Sequence, residues 1–209
     1  NLYSSSMISR AAPSLNQRVM PRNINLTART HLKTYQGAEL TGNFEVDAEG
    51  IVPPGELLIV KDGILVNQLN GRTPTKDVPH SNGHMRGSLY GGKMIAPGIL
   101  DMEVTEGALT KAELKQKLIQ LAKEDNLEYA YILRSMSGNG IPLPLLLYRV
   151  DLDNGNESLV RIISTVDLPE NSLREVSDYS SDRLVHNTQI GGGLTVSLII
   201  PDAFIVEDV

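Results

Sequence analysis

The feature that most constrains the fold of this chain is a pattern of strands and sharp turns between residues 43 and 70. A β-type segment ends at Asp47-Ala48-Glu49-Gly50, and Pro53-Pro54 interrupts the backbone before Leu57–Val60 resumes as a strand. Asp62-Gly63 then reverses the chain into Ile64–Val66, as in a tight hairpin. This pattern predicts an antiparallel β-meander.

One segment has helical rather than strand periodicity. Thr110 and Glu113 have the spacing of a capping box, and Leu114, Leu118 and Leu121 share one helical face. A single main amphipathic helix is therefore predicted over about residues 110–125. Because strands are predicted before and after it, the chain is expected to have an α+β, predominantly β, fold with antiparallel meander or barrel-like sheets.

The remaining segments predict the domain organisation. Further strands are expected at 23–34, 94–104, 129–134, 143–151, 158–165, 194–200 and 203–206, with a hairpin turn at 153–156 and a short helix at 169–177. Residues 71–92 are predicted as a long loop. Residues 1–22 are polar and are interpreted as a mobile lead-in or the remnant of an upstream domain, and residues 23–209 as the β-rich domain. The start at Asn1 rather than Met is typical of a fragment.

Composition excludes several classes of function. The net charge is -6, without the basic face that binding to nucleic acid requires. No apolar stretch approaches the roughly 20 residues needed to span a bilayer, so no membrane partner is expected. The chain has no cysteine, which excludes disulfides, thiol nucleophiles and thiolate metal sites.

The histidines are the first residues to consider as metal ligands. His80 and His84 are four residues apart, but Asn82-Gly83 between them favours a turn, and no glutamate follows the first histidine as a zinc-binding helix would require. They are therefore interpreted as ordinary loop residues. His31 and His186 are isolated in the sequence.

Two further patterns have simpler explanations than ligand binding. Asp151–Glu157 superficially resembles a calcium loop, but its glycine is fifth rather than sixth, and Asn-Gly between apolar segments is explained by a hairpin. Gly191-Gly192-Gly193 precedes a strand rather than a helix, so it is interpreted as a flexible link or a close backbone contact, not as a phosphate loop.

The predicted loop carries the residues most typical of a binding site. Arg72, Asn82, His84 and Arg86 place polar donors on a glycine-hinged segment, which suits recognition of a peptide backbone or a carboxylate. The alternative is a solvated loop without a ligand. No segment indicates a catalytic group, and nothing in the spacing of the serines and histidines supports a Ser/His/Asp triad.

Several segments, in the same order along the chain, resemble the C-terminal domain of the TldD/PmbA family. The segments are Gln17–Pro21, Asp47–Pro53, Leu58–Leu65, Arg72-Thr73-Pro74 with Ser81–Arg86, and Leu194–Val209. Members of this family are described as metallopeptidases and as modulators of DNA gyrase. The resemblance covers about residues 15–209.

The resemblance implies a two-part protein. In the family, an upstream domain carries His-Glu-x-x-x-His, and a cysteine near the C-terminus helps to hold the metal. This chain has neither, so zinc is expected only in a full-length protein, and no cofactor is expected in this chain. The family's cysteine falls near His186–Leu194, which makes His186 a weak candidate ligand, with an exposed or structural role as the alternative.

Three functions remain open from the sequence. The first is the β-rich domain of a metallopeptidase, shaping a peptide channel and a subunit interface without being catalytic itself. The second, favoured by the missing cysteine, is a non-catalytic partner subunit or peptide-binding scaffold. The third is an unrelated β-module that binds an extracellular ligand. The resemblance implies the upstream domain, a homodimer or paired family subunit and a peptide as partners, and a cytoplasmic location, with an exported form left open.

Overall fold

The computed structural model describes residues 14–89, 91–136, 144–161 and 176–206. Contacts within the chain divide it into two compact units. The first unit comprises residues 1–106 and 183–202, and the second comprises residues 107–182 and 203–209. Residues 107–182 of the second unit are therefore inserted, in sequence, between the two parts of the first, and residues 203–209 follow both parts.

An open six-stranded sheet forms the first unit. Its strands are β1 (Ile24–Arg29), β4 (Glu56–Lys61), β5 (Ile64–Leu65), β8 (Ile99–Val104), β13 (Arg183–Ile190) and β14 (Leu194–Pro201). They lie in the order β13-β14-β8-β1-β4-β5. All neighbours are antiparallel except β14 and β8, which are parallel, with Leu198 opposite Leu100.

The sheet has an apolar core on each side. One core contains Ala28, Val60 and Leu65, and Leu15, Val19 and Met20 from the segment before β1 pack against it. The other contains Leu40, Ile99 and Ile199, each with no exposed surface. The predominance of Leu, Ile and Val in both cores follows from the scarcity of aromatic residues, since the chain has only 2 Phe and no Trp.

Two short hairpins complete the first unit. One pairs β2 (Thr34–Tyr35) with β3 (Ala38–Glu39), and the other pairs β6 (Met85–Gly87) with β7 (Lys93–Ile95). The predicted loop at 71–92 thus contains strand β6. The strand predicted at 94–104 is two strands, because Ala96-Pro97-Gly98 separates β7 from β8.

The second unit pairs one helix with a small sheet. Helix α1 (Lys111–Glu124) confirms the predicted helix, and β9 (Tyr129–Met136), β10 (Pro144–Asp151) and β11 (Glu157–Leu159) form a three-stranded antiparallel sheet. Ala122 of the helix packs with Ala130 and Val150 of that sheet. Strands β12 (Val176–Tyr179) and β15 (Phe204–Val206) form a separate pair.

The α+β, predominantly β, expectation is confirmed, and the described strands form open sheets rather than a closed barrel. Sequence patterning misses β13, which has mixed polar and apolar residues. For the short helix predicted at 169–177, residues 169–175 lie outside the described residues, and Val176 and Ser177 belong to β12 instead. Among the described residues no helix has the length and apolar character needed to cross a bilayer.

Candidate functional site

The loop between β5 and β6 is closed at its base by Asn70, Asn82 and His84. The main-chain N–H groups of Asn82 and His84 both donate to the Asn70 carbonyl, at 3.4 and 3.3 Å. In return the Asn70 N–H donates to the Asn82 side-chain oxygen at 2.7 Å. We refer to residues 71–83 as the loop and to Asn70, Asn82 and His84 as the loop base.

Asn70 and His84 of the loop base are buried and Asn82 is half-buried, and the two asparagine amides bond carbonyl groups in and beside the loop. Asn70 is 1% exposed, and its side-chain nitrogen donates to the carbonyls of Val78 and His80. The Asn82 side-chain nitrogen donates to the Gln68 carbonyl at 2.7 Å. The short Asn82 amide donates and accepts at once, whereas the Asn70 side chain bonds through its nitrogen. The carbonyls of Val78 and His80 in a loop without regular secondary structure thereby gain hydrogen-bond donors.

His84 lies wholly inside this arrangement. It has no exposed surface, its Nδ1 is 2.8 Å from the Asn82 carbonyl oxygen, and its ring meets the ring of Phe44 edge to face with centroids 6.1 Å apart. Burial is the main reason that the pKa of His84 is lowered below its ordinary value of 6.5. The imidazole is therefore a neutral structural group at pH 7 rather than an exposed ligand.

Arg86 is used by the backbone around it. Its guanidinium carbon lies 4.0 Å from the centroid of the Phe44 ring, a cation–π contact. Its Nη1 donates to the carbonyl of Pro97 at 3.1 Å, and Nη2 reaches the carbonyl of Thr195 at 3.4 Å. Arg86 thus joins β6 to the segments beside β8 and to β14, with its charge directed at protein carbonyls.

The acidic turn before the paired prolines anchors the same strand. Asp47 is 7% exposed, and its Oδ1 accepts from the N–H groups of Glu49 and Ile51 at 2.8 and 2.9 Å. The other oxygen accepts from the Met85 N–H at 3.3 Å. The Glu49 carboxylate accepts from the Arg72 N–H at 2.7 Å, which ties the start of the loop to this turn.

The four residues predicted to bind a peptide therefore occupy different environments. Asn82 and His84 are in contact, whereas the guanidinium of Arg86 is directed to Phe44 and to carbonyl groups. Arg72 is exposed. A contribution of these residues to peptide binding stays a prediction, with Arg72 the one of the four whose side chain is open to solvent.

A shallow surface depression of about 330 Å³ lies near the acidic turn. His31, Glu45, Val46 and Val52 line it, and the two valines are 52% and 66% exposed. Glu45, Val46 and Val52 do not belong to any motif of the sequence that predicts a site. The feature that could have indicated the depression is the pair Val46 and Val52, two β-branched residues on either side of the Asp47 turn. Both remain outside the two cores.

A second buried polar cluster crosses the six-stranded sheet. The Asp101 carboxylate, in β8, accepts from Nε of Arg29 at 2.7 Å and from Nη2 of Arg183. Asp101 is 8% exposed. The Arg183 guanidinium also donates to the Tyr35 hydroxyl at 3.2 Å and the Met102 carbonyl at 2.8 Å. This arrangement joins β1, β8 and β13, and it is a structural cluster.

The described residues do not bring together the ligand set of a zinc ion. Zinc sites use three or four His, Cys, Asp or Glu ligands. Within the ranges described above, no three such side chains lie together. His186 lies exposed on β13, opposite Leu198 of β14. The chain therefore offers at most one ligand from this strand.

The glycine run at 191–193 is a turn with close contacts. Gly191, Gly192 and Gly193 all have positive φ and connect β13 to β14. A Cβ on Gly191 would collide with the Met94 sulfur, and one on Gly193 would lie 2.9 Å from Leu89 Cδ1. Of the two interpretations, a close backbone contact is correct.

Comparison with known proteins identifies the fold. No protein-family model and no curated protein matches the sequence. Among solved structures, the chain matches TldE from Thermococcus kodakarensis with a TM-score of 0.56, 13% identity, and coverage of 91% of this chain and 40% of that protein. It matches a proposed modulator of DNA gyrase from Thermotoga maritima with a TM-score of 0.59, 16% identity, and coverage of 93% and 40%.

These matches confirm the resemblance to the TldD/PmbA family at the level of the fold. The chain spans about 40% of the length of each matched protein.

Proposed function

We propose that this chain is a β-rich domain of a TldD/PmbA-like protein, and that it shapes a peptide-binding channel and a subunit interface without carrying the catalytic groups. The observation that supports this most directly is the shared fold, which covers 93% of the chain in one comparison. The collinear sequence motifs from Gln17 to Val209 add independent support. The metallopeptidase activity would then belong to the full-length protein, with zinc supplied by an upstream domain.

Strand β13 is the part of the fold best suited to a peptide. It is eight residues long and ends the six-stranded sheet, with β14 as its neighbour in the described part of the chain. An edge strand presents main-chain donors and acceptors that can pair with an extended peptide irrespective of its sequence. The opposite edge is less suitable, because β5 has two residues and Arg18 already bridges to Ile64.

The alternative proposal is a non-catalytic partner subunit or a peptide-binding scaffold. The absence of cysteine from all 209 residues favours it, because the family's catalytic subunit uses a cysteine near the C-terminus as a metal ligand. In this alternative the same edge strand binds the peptide, and cleavage is carried out by another subunit or not at all.

The two proposals are separated by metal analysis of the full-length protein, purified without added metal, together with hydrolysis of an unstructured peptide. Stoichiometric zinc and chelator-sensitive cleavage would establish the peptidase. A metal-free protein that binds the peptide without cleaving it would establish the scaffold. A protein that neither cleaves nor binds the peptide would overturn both.

The position of the peptide needs its own measurement. We expect hydrogen exchange of the β13 amides in the full-length protein to slow when the peptide is added, with little change in the central strand β1. The variant His186→Gln should retain the metal content of the wild-type protein if His186 is not a ligand. Protection confined to other strands would contradict the edge-strand assignment.

A further inference from the structure

The hydrogen bonds at the loop base define the tautomer of the neutral His84 ring. Its Nδ1 faces the Asn82 carbonyl oxygen at 2.8 Å, and a carbonyl oxygen can only accept. The proton of the neutral ring must therefore be on Nδ1, and Nε2 carries a lone pair. That Nε2 is buried and has no hydrogen-bond partner among the described residues.

Protonation would place a second N–H at this buried Nε2. A buried donor without an acceptor loses its hydrogen bonds to water and costs about 1–3 kcal/mol, and more when the group is charged. The closed loop base can therefore accommodate the neutral ring but penalises the imidazolium.

The charges near His84 do not offset this cost. Arg86 lies two residues along the chain and opposes a positive charge on the ring, while Asp47 favours it. The Asp47 carboxylate, however, already accepts from the N–H groups of Glu49, Ile51 and Met85. On the remaining side the ring meets Phe44, which provides no counter-charge.

We propose that His84 is an acid-sensitive latch, which keeps the 71–83 loop closed while its imidazole is neutral and lets the loop base open when the ring is protonated. The ring bonds Asn82 through its Nδ1, and the His84 N–H bonds the Asn70 carbonyl. Expulsion of the ring would break both of these hydrogen bonds. The loop that carries Arg72 would then lose its contacts at the loop base. The latch does not depend on the proposed peptide function, although it would change the surface from which Arg72 projects.

The direction of the pH dependence follows from the lowered pKa. An exposed His84 in the open loop titrates near 6.5, whereas the buried ring titrates at lower pH. Above pH 6.5 both forms are neutral and the closed loop has its full stability. Between the two pKa values only the open form binds the proton, so the open population rises by at most about tenfold per pH unit as the pH falls.

The test combines two NMR measurements on the wild-type protein between pH 7.5 and 4.5. The ring signals of the four histidines give their individual pKa values. Hydrogen exchange, corrected for intrinsic rates, gives the opening of the loop base through the amides of Asn82 and His84, with β1 amides as an internal reference. We expect protection of the two loop-base amides to fall up to about tenfold per pH unit below 6.5, while that of β1 is unchanged.

Matched variants assign the effect to His84. His84→Asn retains a side-chain donor near the Asn82 carbonyl and removes the titration, so its loop-base protection should be independent of pH. His80→Gln changes an exposed histidine of the same loop and should behave as the wild type. If His84→Asn does not fold, the wild-type measurements still decide. Constant wild-type protection down to pH 4.5, or titration of His84 near 6.5 without loss of protection, would overturn the proposal.

Discussion

At the scale of single residues, buried polar side chains hold the first unit together. Asp101 is the clearest case, because its carboxylate lies between Arg29 and Arg183 at the middle of the sheet. Removing one member of a buried ion pair leaves the other members charged and uncompensated, which costs far more than losing an exposed pair. The free energy contributed by a charge in this fold should therefore depend mainly on its burial.

We expect Asp101→Asn to lower the free energy of unfolding by about 3 kcal/mol, since two partly buried guanidinium groups lose their carboxylate. Urea denaturation followed by circular dichroism would measure the change. Glu56→Gln is the matched control, because Glu56 binds the same Arg29 but its side chain is 65% exposed, and the expected loss is below about 1 kcal/mol. Equal losses in the two variants would contradict this ranking.

Gly83 supports the loop base through its lack of a side chain. Its φ is +73°, and a Cβ would lie 2.8 Å from the Pro53 backbone. Gly83→Ala should therefore combine the left-handed backbone penalty of about 1–2 kcal/mol with a steric cost of about 1–3 kcal/mol. Gly50→Ala has a similar φ of +77° with nothing within 4 Å, so it should show the backbone penalty alone. Thermal unfolding of both variants would separate the two terms, and similar melting temperatures would refute the steric argument.

The roles of the polar residues at the site could be predicted only in part from the sequence. Asn82, His84 and Arg86 have the types expected of a binding loop, and in the structure each of them also bonds the protein's own backbone. A linear pattern does not reveal which of two uses a polar residue has, since that depends on burial set by distant segments such as Phe44 and Thr195. Asp101 was missed for a related reason, because its arginine partners lie 72 and 82 residues away.

At the scale of secondary-structure elements, the sequence was sufficient to predict an element whose hydrogen bonds join residues close together in the chain. The N–H and hydroxyl of Thr110 both donate to the Glu113 carboxylate at 2.8 Å, and the Glu113 N–H donates back to Thr110 Oγ1 at 3.3 Å. The predicted capping box and helix are therefore confirmed. The turn between β10 and β11 was likewise predicted. Its main-chain N–H groups donate to the side-chain oxygens of Asp151 and Asn154, which are close in sequence.

Strand β13 could not be predicted in the same way. A strand with many exposed side chains needs few apolar residues, so its sequence lacks the alternation that marks a half-buried strand. Its place in the sheet is determined instead by pairing with β14 and by the tight turn at 191–193. The signal in the sequence was the run of three glycines before a strand, which favours a turn. In the structure, a side chain on Gly191 would collide with Met94 and one on Gly193 with Leu89.

We expect Thr110→Ala to destabilise helix α1 by about 1 kcal/mol, since the first-turn N–H of Glu113 loses its acceptor. Circular dichroism at 222 nm during urea unfolding would measure the change. Gln116→Ala is the control, because Gln116 is exposed in the middle of the same helix and its replacement should change stability by a few tenths of a kcal/mol at most. A control as damaging as Thr110→Ala would argue against the capping box.

The same cap should respond to acid. The Thr110 N–H and hydroxyl hold the pKa of Glu113 below its ordinary value of 4.5. Because the folded-state pKa is depressed, the contribution is present above pH 4.5 and is lost as the pH falls through the folded-state value. The difference between wild type and Thr110→Ala should shrink over that range, and a constant difference would show that the carboxylate contributes little.

At the scale of the whole molecule, net charge makes a prediction about nucleic acid. The chain carries 19 Lys and Arg against 25 Asp and Glu, and the arginines of both buried clusters are already bonded to protein groups. We expect no measurable binding to duplex DNA at physiological salt, because phosphate contacts supply most of such affinity. Fluorescence anisotropy with a labelled duplex would test this. An affinity for duplex DNA that weakens steeply with added salt would contradict the prediction and support a gyrase-related role.

The order of strands in the larger sheet has a consequence for synthesis on the ribosome. Strand β8 pairs on one side with β1, which is made before it, and on the other with β14, which is made only after residues 107–182 of the second unit. At cellular rates of elongation this delay is on the order of several seconds. During it, the nascent chain has an apolar strand edge whose partner does not yet exist. Chaperone binding would protect that edge until the hairpin of β13 and β14 emerges.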